Sequence, residues 1–143
     1  MGWYIDTKII EEMANSAKIK KERMRQWVLD INKLNVDFGK VKEKKNVGVV
    51  DNNNIFLVDG NHVKINNDMD FVEGGNDARY KFIPEKEIWV DSNEDRSQWP
   101  YIILHERVER NLMVGGEMKY DDAHNIADEV EKIARENKIF GEV

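Results

Sequence analysis

The stretch Pro100-Tyr-Ile-Ile-Leu-His-Glu-Arg-Val-Glu-Arg-Asn-Leu-Met113 has the spacing of an amphipathic helix. Pro100 suits the first helical turn, because its missing N–H would have no partner there in any case. Gly115-Gly116 is a typical end signal. The stretch therefore predicts a helix of about fourteen residues, whose apolar positions recur every three or four residues: Tyr101, Leu104, Val108 and Leu112.

A second helix is predicted directly after this one. Asp121 is a good N-cap residue, and the pattern continues to about Lys138. Its apolar face consists mainly of small residues, which favours close packing against the first helix: Ala123, Ala127, Val130 and Ala134. We therefore expect a helical pair over residues 98–138.

Residues 1–38 are predicted to be helical, with Asp6 as a cap, a break near Asn15-Ser16 and an end at Phe38-Gly39. Residues 47–91 are predicted to be rich in β-strands. The first two are Val47–Val50 and Ile55–Val58, joined by a turn of Asp and Asn residues that tolerate the left-handed conformation.

The rest of this region is predicted to be a turn at 59–61, a strand at 62–65, a loop at Gly74-Gly75-Asn76 and a hairpin of 79–83 with 87–91. With 143 residues, the chain is long enough for one domain. The predicted fold is a single α+β domain over 1–143: an N-terminal helix, a small antiparallel sheet and two C-terminal helices.

Composition excludes several classes of function. The net charge of −6 disfavours general nucleic-acid binding, which requires an excess of Lys and Arg facing phosphate. There are no cysteines, so disulfides and cysteine metal sites are excluded. No apolar run is long enough to span a membrane, and no signal-peptide pattern is present at the N-terminus. We expect a cytoplasmic protein, in the prokaryotic host cell if it is phage-encoded, with no nucleic-acid or membrane partner.

The segment His105-Glu106-Arg107-Val108-Glu109 followed by His124 reads as HExxE…H, one residue away from the HExxH motif of zinc peptidases. Residues four apart share a helix face, so His105 and Glu109 can bind one divalent metal, zinc first, with His124 as third ligand. Glu106 is then the expected general base and Tyr120 an oxyanion donor. Two further acidic residues are expected to orient His124 or to replace a ligand: Asp128 and Glu131.

A metal-free structural network is the alternative interpretation of the same residues. Glu is common on charged helices, so HExxE alone is a weak signal. His105 can donate to Glu131 or Glu109 within a buried network, with nearby arginines neutralising the other carboxylates. A di-iron carboxylate site is disfavoured because it requires ExxH pairs that this chain lacks.

From residue 70 to 136 the chain resembles a family of small, mostly uncharacterised proteins from phages, archaea and bacteria. The shared pattern is an EIW(I/V)D strand, an LHExxER helix and a YxxAH turn. These motifs correspond here to Glu87–Asp91, Leu104–Arg110 and Tyr120–His124. The resemblance implies a site similar to that of zincin metallopeptidases. Glu109 in place of the usual second histidine weakens the expectation of protease activity and suits iron or manganese as well as zinc.

The preferred function is metal-dependent hydrolysis of a peptide or other amide substrate. A non-catalytic interaction protein, which binds a protein partner and uses the cluster only to fix helix packing, is the alternative from another class. Val58–His62 also resembles a segment of ParB-type nucleotide-binding domains, but the arginine expected after the histidine is absent. Arg79 and Tyr80 are candidates for contacting a substrate carboxylate.

Overall fold

The computed structural model describes residues 3–115 and 118–142. The helices are α1 (Thr7–Ala17), α2 (Lys21–Val28), α3 (Gly60–Asn66), α4 (Trp99–Val114) and α5 (Tyr120–Glu136). The strands are β1 (Trp3–Ile5), β2 (Lys45–Val50), β3 (Asn53–Val58), β4 (Gly74–Asn76), β5 (Glu87–Asp91) and β6 (Phe140–Glu142). Single 3-10 turns occupy Ile31–Lys33 and Arg96–Gln98. None of the described helices has the length and apolarity that crossing a bilayer requires.

The predicted α+β class is confirmed, including the two C-terminal helices. The N-terminal region differs in detail. It opens with β1, which pairs antiparallel with β6 from the other end of the chain. Asp6 caps α1 as predicted, by accepting a hydrogen bond from the backbone N–H of Lys8. The break lies at Lys18, which adopts a left-handed conformation (φ 57°), rather than at Asn15-Ser16, and helix ends at residue 33 rather than at Phe38.

The four-stranded sheet has the order β2-β3-β5-β4. β2 and β3 form the predicted hairpin, and both turn residues, Asp51 and Asn52, have positive φ (47° and 64°), as a tight two-residue hairpin requires. β3 and β5 run parallel, with Ile55 opposite Ile88 and Leu57 opposite Val90. The sheet is therefore mixed, and its antiparallel pairs lie on either side of this parallel pair.

Three predictions for the middle of the chain were wrong. Residues 60–66, predicted as a turn and a strand, form α3, because the side chain of Asp59 caps the helix by accepting from the N–H of Asn61. Residues 79–83 form turns, so β5 has no hairpin partner there. Gly74–Asn76, predicted as a loop, is β4, which pairs antiparallel with β5.

Glycine is needed in β4 because α4 packs closely against this edge of the sheet. A Cβ added at Gly74 would lie 2.7 Å from Cγ2 of Ile102 and 2.8 Å from the carbonyl oxygen of Trp89. Glycine has a low propensity for β-strands, but the close packing of α4 leaves no room for a larger residue at this position of β4.

The main core lies between α4, α5 and the N-terminal helices. All predicted core positions of α4 and α5 are buried, and Trp27 and Trp99 are among the largest fully buried side chains. A smaller aromatic cluster covers the other face of the sheet and contains Phe71, Tyr80 and Trp89. α5 begins at Tyr120, with Lys119 rather than Asp121 at the cap position. α4 is buried along almost its entire length, so its polar residues must be satisfied inside the protein.

Candidate metal centre

A cavity of about 310 Å³ opens between α4, α5 and the segment that contains β4. Its lining includes every residue that the sequence predicted for the site: His105, Glu106, Glu109, Tyr120 and His124. Asp128 and Glu131, expected as supporting residues, line it as well. The i, i+4 spacing on each helix turns these side chains toward the same space.

Glu109 lies between the two histidines. Its Oε2 is 3.3 Å from Nε2 of His105 and 2.9 Å from Nδ1 of His124. One carboxylate oxygen therefore contacts one ring nitrogen of each imidazole. Such a contact fixes the orientation of both rings and leaves the opposite nitrogen of each ring for another partner.

Those opposite nitrogens face Asp128. Nε2 of His124 lies 3.3 Å from Oδ2 of Asp128, and Nδ1 of His105 lies 3.5 Å from Oδ1. One ligand atom from each of these three residues lies within 4.8 Å of those from the other two. Neighbouring ligands on a tetrahedral zinc are about 3.3 Å apart, given Zn–N bonds of about 2.0–2.1 Å. The two contacts with Asp128, at 3.3 and 3.5 Å, have this spacing.

Nδ1 of His105 is a buried nitrogen that lacks a hydrogen-bond partner among the described residues. Oε1 of Glu131 is only 2.9 Å away, which makes an ion pair, but the two groups do not have hydrogen-bond geometry. Two carboxylates therefore lie near this nitrogen, since Oδ1 of Asp128 is 3.5 Å away. A metal ion coordinated by the nitrogen would have both carboxylates beside it.

Glu106 and Glu109 are held together by Asn76, whose side chain is fully buried on β4. Nδ2 of Asn76 donates to Oε1 of Glu106 (2.9 Å) and to Oε1 of Glu109 (3.2 Å). Oδ1 of Asn76 accepts from the backbone N–H groups of Ala78 and Arg79. The amide thus links the sheet edge to both carboxylates of α4.

Burial and the negative charge of Glu109 raise the pKa of Glu106 to about 7. Burial also acts to raise the pKa of Glu109, but the hydrogen bonds and charges of His105 and His124 outweigh it and hold that pKa below its ordinary value. Burial alone would lower the pKa of His105, yet its contacts with Glu109 and Glu131 raise the pKa to about 10. In the metal-free protein His105 is therefore an imidazolium between two carboxylates.

Tyr120 and Arg79 form the outer wall of the cavity. The phenol oxygen of Tyr120 is 3.4 Å from Nδ1 of His124, and the two rings lie 5.2 Å apart. Burial raises the pKa of the phenol, so Tyr120 keeps its proton at neutral pH and can donate a hydrogen bond. The guanidinium of Arg79 stacks over the Tyr120 ring, 4.0 Å from its centroid.

The sequence did not identify Asn76 as part of the site, and nothing in the pattern around it signals this position. The group His105, His124 and Asp128 could have been found, because Asp128 follows His124 by four residues and so shares its helix face. The structure brings all five predicted residues together. Glu109, predicted as a ligand, contacts one nitrogen of each imidazole. Asp128, predicted either to orient His124 or to replace a ligand, forms with His105 and His124 the group whose ligand atoms lie within 4.8 Å of one another.

We expect Asn76→Asp to destabilise the fold by at least about 2 kcal/mol, because it replaces a donor shared by two carboxylates with a third buried carboxylate. The measurement is the free energy of unfolding from urea denaturation. Asn125→Asp, an exposed site on α5, is the matched control and should change stability by less than about 0.5 kcal/mol. Equal effects of the two substitutions would contradict the hydrogen bonds described for Asn76.

Comparison of the chain with models of protein families, with curated proteins and with solved structures finds no match. The resemblance of residues 70–136 to a zincin-like family therefore stays a prediction. The function proposed below is based on the geometry of the cavity.

Proposed function

We propose that this protein is a metal-dependent hydrolase whose site lies between α4 and α5, with zinc as the first metal and a peptide or other amide bond as the first substrate class. The observation that carries the proposal is the grouping of His105, His124 and Asp128 in one cavity with Glu106. Two imidazoles and a carboxylate are a common zinc ligand set, and they leave a position for water or substrate.

In this proposal the metal binds Nδ1 of His105, Nε2 of His124 and a carboxylate oxygen of Asp128. Glu109 holds both imidazoles from the opposite side, and its two short contacts support that role. Glu131, 2.9 Å from Nδ1 of His105, is the fourth protein group near the ion. Two histidines with carboxylates also suit Fe²⁺ or Mn²⁺, so metal identity has to be tested separately.

Glu106 is the general base in this proposal. It lines the cavity, is only 7% exposed and is oriented by Asn76. A zinc-bound water has a pKa near 7, so a neighbouring carboxylate can take its proton as the oxygen attacks a carbonyl carbon. Tyr120 lines the same cavity and is the proposed donor of a hydrogen bond to the developing oxyanion.

The test is hydrolysis of a set of short peptides by purified protein loaded with zinc, measured as release of primary amine. We expect turnover that disappears with a chelator and returns when zinc, iron or manganese is added back. A His105→Ala sample is purified in parallel as the negative control. The variant should not hydrolyse the peptides, so any hydrolysis in this sample comes from contaminants. Turnover that is insensitive to the chelator, or equal in His105→Ala, would contradict the proposal.

A metal-free structural network is the second candidate. The observation that favours it is the position of His105 between Glu109 and Glu131, since a protonated imidazole there pairs with both carboxylates without a metal ion. The protein would then act through its surface on a protein partner. This candidate predicts that the protein binds none of the three metals and remains folded without them.

A further inference from the structure

The cavity has an uneven distribution of charge. Among the described residues that line it, Arg79 is the only lysine or arginine. The acidic residues on the same lining are Asp70, Glu73, Glu106, Glu109, Asp128 and Glu131. Metal binding does not require this arginine, because an acidic cavity without it would bind a metal ion equally well. Arg79 is therefore a feature of the cavity that metal binding alone does not explain.

Arg79 forms no ion pair with any described carboxylate. The neighbouring Arg110, in contrast, is paired with Asp77. Arg79 instead stacks on Tyr120 at 4.0 Å and lies 5.3 Å from the Tyr80 ring centroid. The guanidinium also makes a side-chain hydrogen bond with Tyr120. An arginine has five N–H donors, so others remain to bind a carboxylate.

Arg79 lies close enough to the proposed metal ligands for one ligand to contact both. Its guanidinium carbon is 4.0 Å from the Tyr120 ring centroid, and the centroid of the His124 ring is 5.2 Å from that of Tyr120. Arg79 is therefore at most about 9 Å from the His124 ring, and an extended peptide covers about 3.3–3.6 Å per residue. A short peptide can span this distance.

We propose that Arg79 binds a free carboxylate of the substrate, so that the substrate class is a short peptide or an N-acyl amino acid. This inference rests on the proposed function, because it places the scissile carbonyl at the metal. A carboxylate fits better than a phosphate, since a dianion would be repelled more strongly by the six acidic residues of the lining.

Because the lining is acidic, the inference predicts in which direction the loss of Arg79 changes the relative affinity of two ligands. Without Arg79, a ligand that carries a carboxylate should bind more weakly than the same ligand with a neutral carboxamide. With Arg79, the carboxylate should bind more tightly. The probes are mercaptoacetyl-alanine, whose thiolate binds zinc, and its C-terminal carboxamide.

The experiment is calorimetric titration of the zinc-loaded protein with both probes. We expect the acid to bind at least about tenfold more tightly than the amide, which corresponds to one charge-assisted bidentate pair. In Arg79→Met the order should reverse, and in Arg79→Lys the preference should shrink, because lysine binds as a point charge. Lys81→Met, which removes an exposed charge that does not line the cavity, is the matched control and should keep the wild-type ratio.

The outcomes separate this inference from the proposed function. Zinc binding with equal affinities for acid and amide, or with a ratio unchanged in Arg79→Met, overturns the role of Arg79 and leaves the hydrolase proposal standing. Failure to bind zinc at all overturns both. A preference for the acid that is lost in Arg79→Met and kept in Lys81→Met supports both.

Discussion

Substituting His105 by alanine is expected to lower zinc affinity by more than about 100-fold. Changing a residue that only orients a ligand already costs 10–100-fold in metal affinity, and removing the ligand itself should cost more. His105 supplies the ring nitrogen that faces Asp128 and Glu131, so its removal deletes one of the proposed ligands. The measurement is zinc binding by competition with a chromophoric chelator.

His105 is buried, and its loss also removes one partner of Glu109 and one of Glu131, so the variant will be less stable. Glu131 retains Arg135 and Glu109 retains His124. His124→Ala separates the two effects, because the His124 side chain is 37% exposed and its removal disturbs packing less. We expect the same loss of zinc affinity from this second variant. His62→Ala, on the exposed face of α3, serves as the control and should bind zinc normally. Wild-type zinc affinity in both site variants would contradict the proposed metal site.

Replacing Glu106 by glutamine is expected to lower the rate of hydrolysis by 10²- to 10⁴-fold while zinc affinity changes little. Glutamine keeps the size of the side chain and can still accept the hydrogen bond from Asn76, but it cannot take a proton. The measurement is kcat for the best substrate of the peptide set, with zinc content determined on the same sample.

The matched control for this substitution is Glu129→Gln, which makes the same chemical change at an exposed position of α5. It should leave both rate and zinc content unchanged. If Glu106→Gln hydrolyses its substrate at the wild-type rate, Glu106 is not the base. If it loses zinc instead, Glu106 acts as a ligand or a packing residue, and the mechanism has to be redrawn around another carboxylate.

The helical pair could be predicted from sequence because its signals are local. The apolar positions of α4 and α5 recur at helical spacing, Pro100 indicates the start of α4 and Gly115 its end. Since the site residues lie on these two helices, their convergence on one cavity followed from the same periodicity. The hairpin of β2 and β3 was likewise encoded locally, in a turn where Asp51 and Asn52 accept positive φ.

Helix α3 was missed although its cap, Asp59, is local. Two other missed features depend on contacts between distant parts of the chain. Gly74 and Gly75 have low strand propensity, and β4 forms because only glycine permits the close packing of Ile102 and Tyr80 against it. The parallel pairing of β3 with β5 joins residues more than thirty positions apart. No local pattern specifies either feature.

Contacts between distant residues also explain which features of the site could not be predicted from sequence. Asn76 reaches Glu106 and Glu109 only because β4 forms and pairs with β5, so its role could not be inferred before the sheet was known. The choice between Glu109 and Asp128 as third ligand depends on which nitrogen of each imidazole faces which carboxylate. Helical spacing places both carboxylates near the histidines and does not distinguish them.

Metal binding between α4 and α5 through His105, His124 and Asp128 can be tested by anomalous X-ray scattering. The data are collected at the zinc absorption edge from crystals grown with one equivalent of zinc. We expect one strong peak about 2.0–2.2 Å from Nδ1 of His105, Nε2 of His124 and a carboxylate oxygen of Asp128. A fully ordered cavity with no peak, or a peak held only by exposed surface residues, would contradict this expectation.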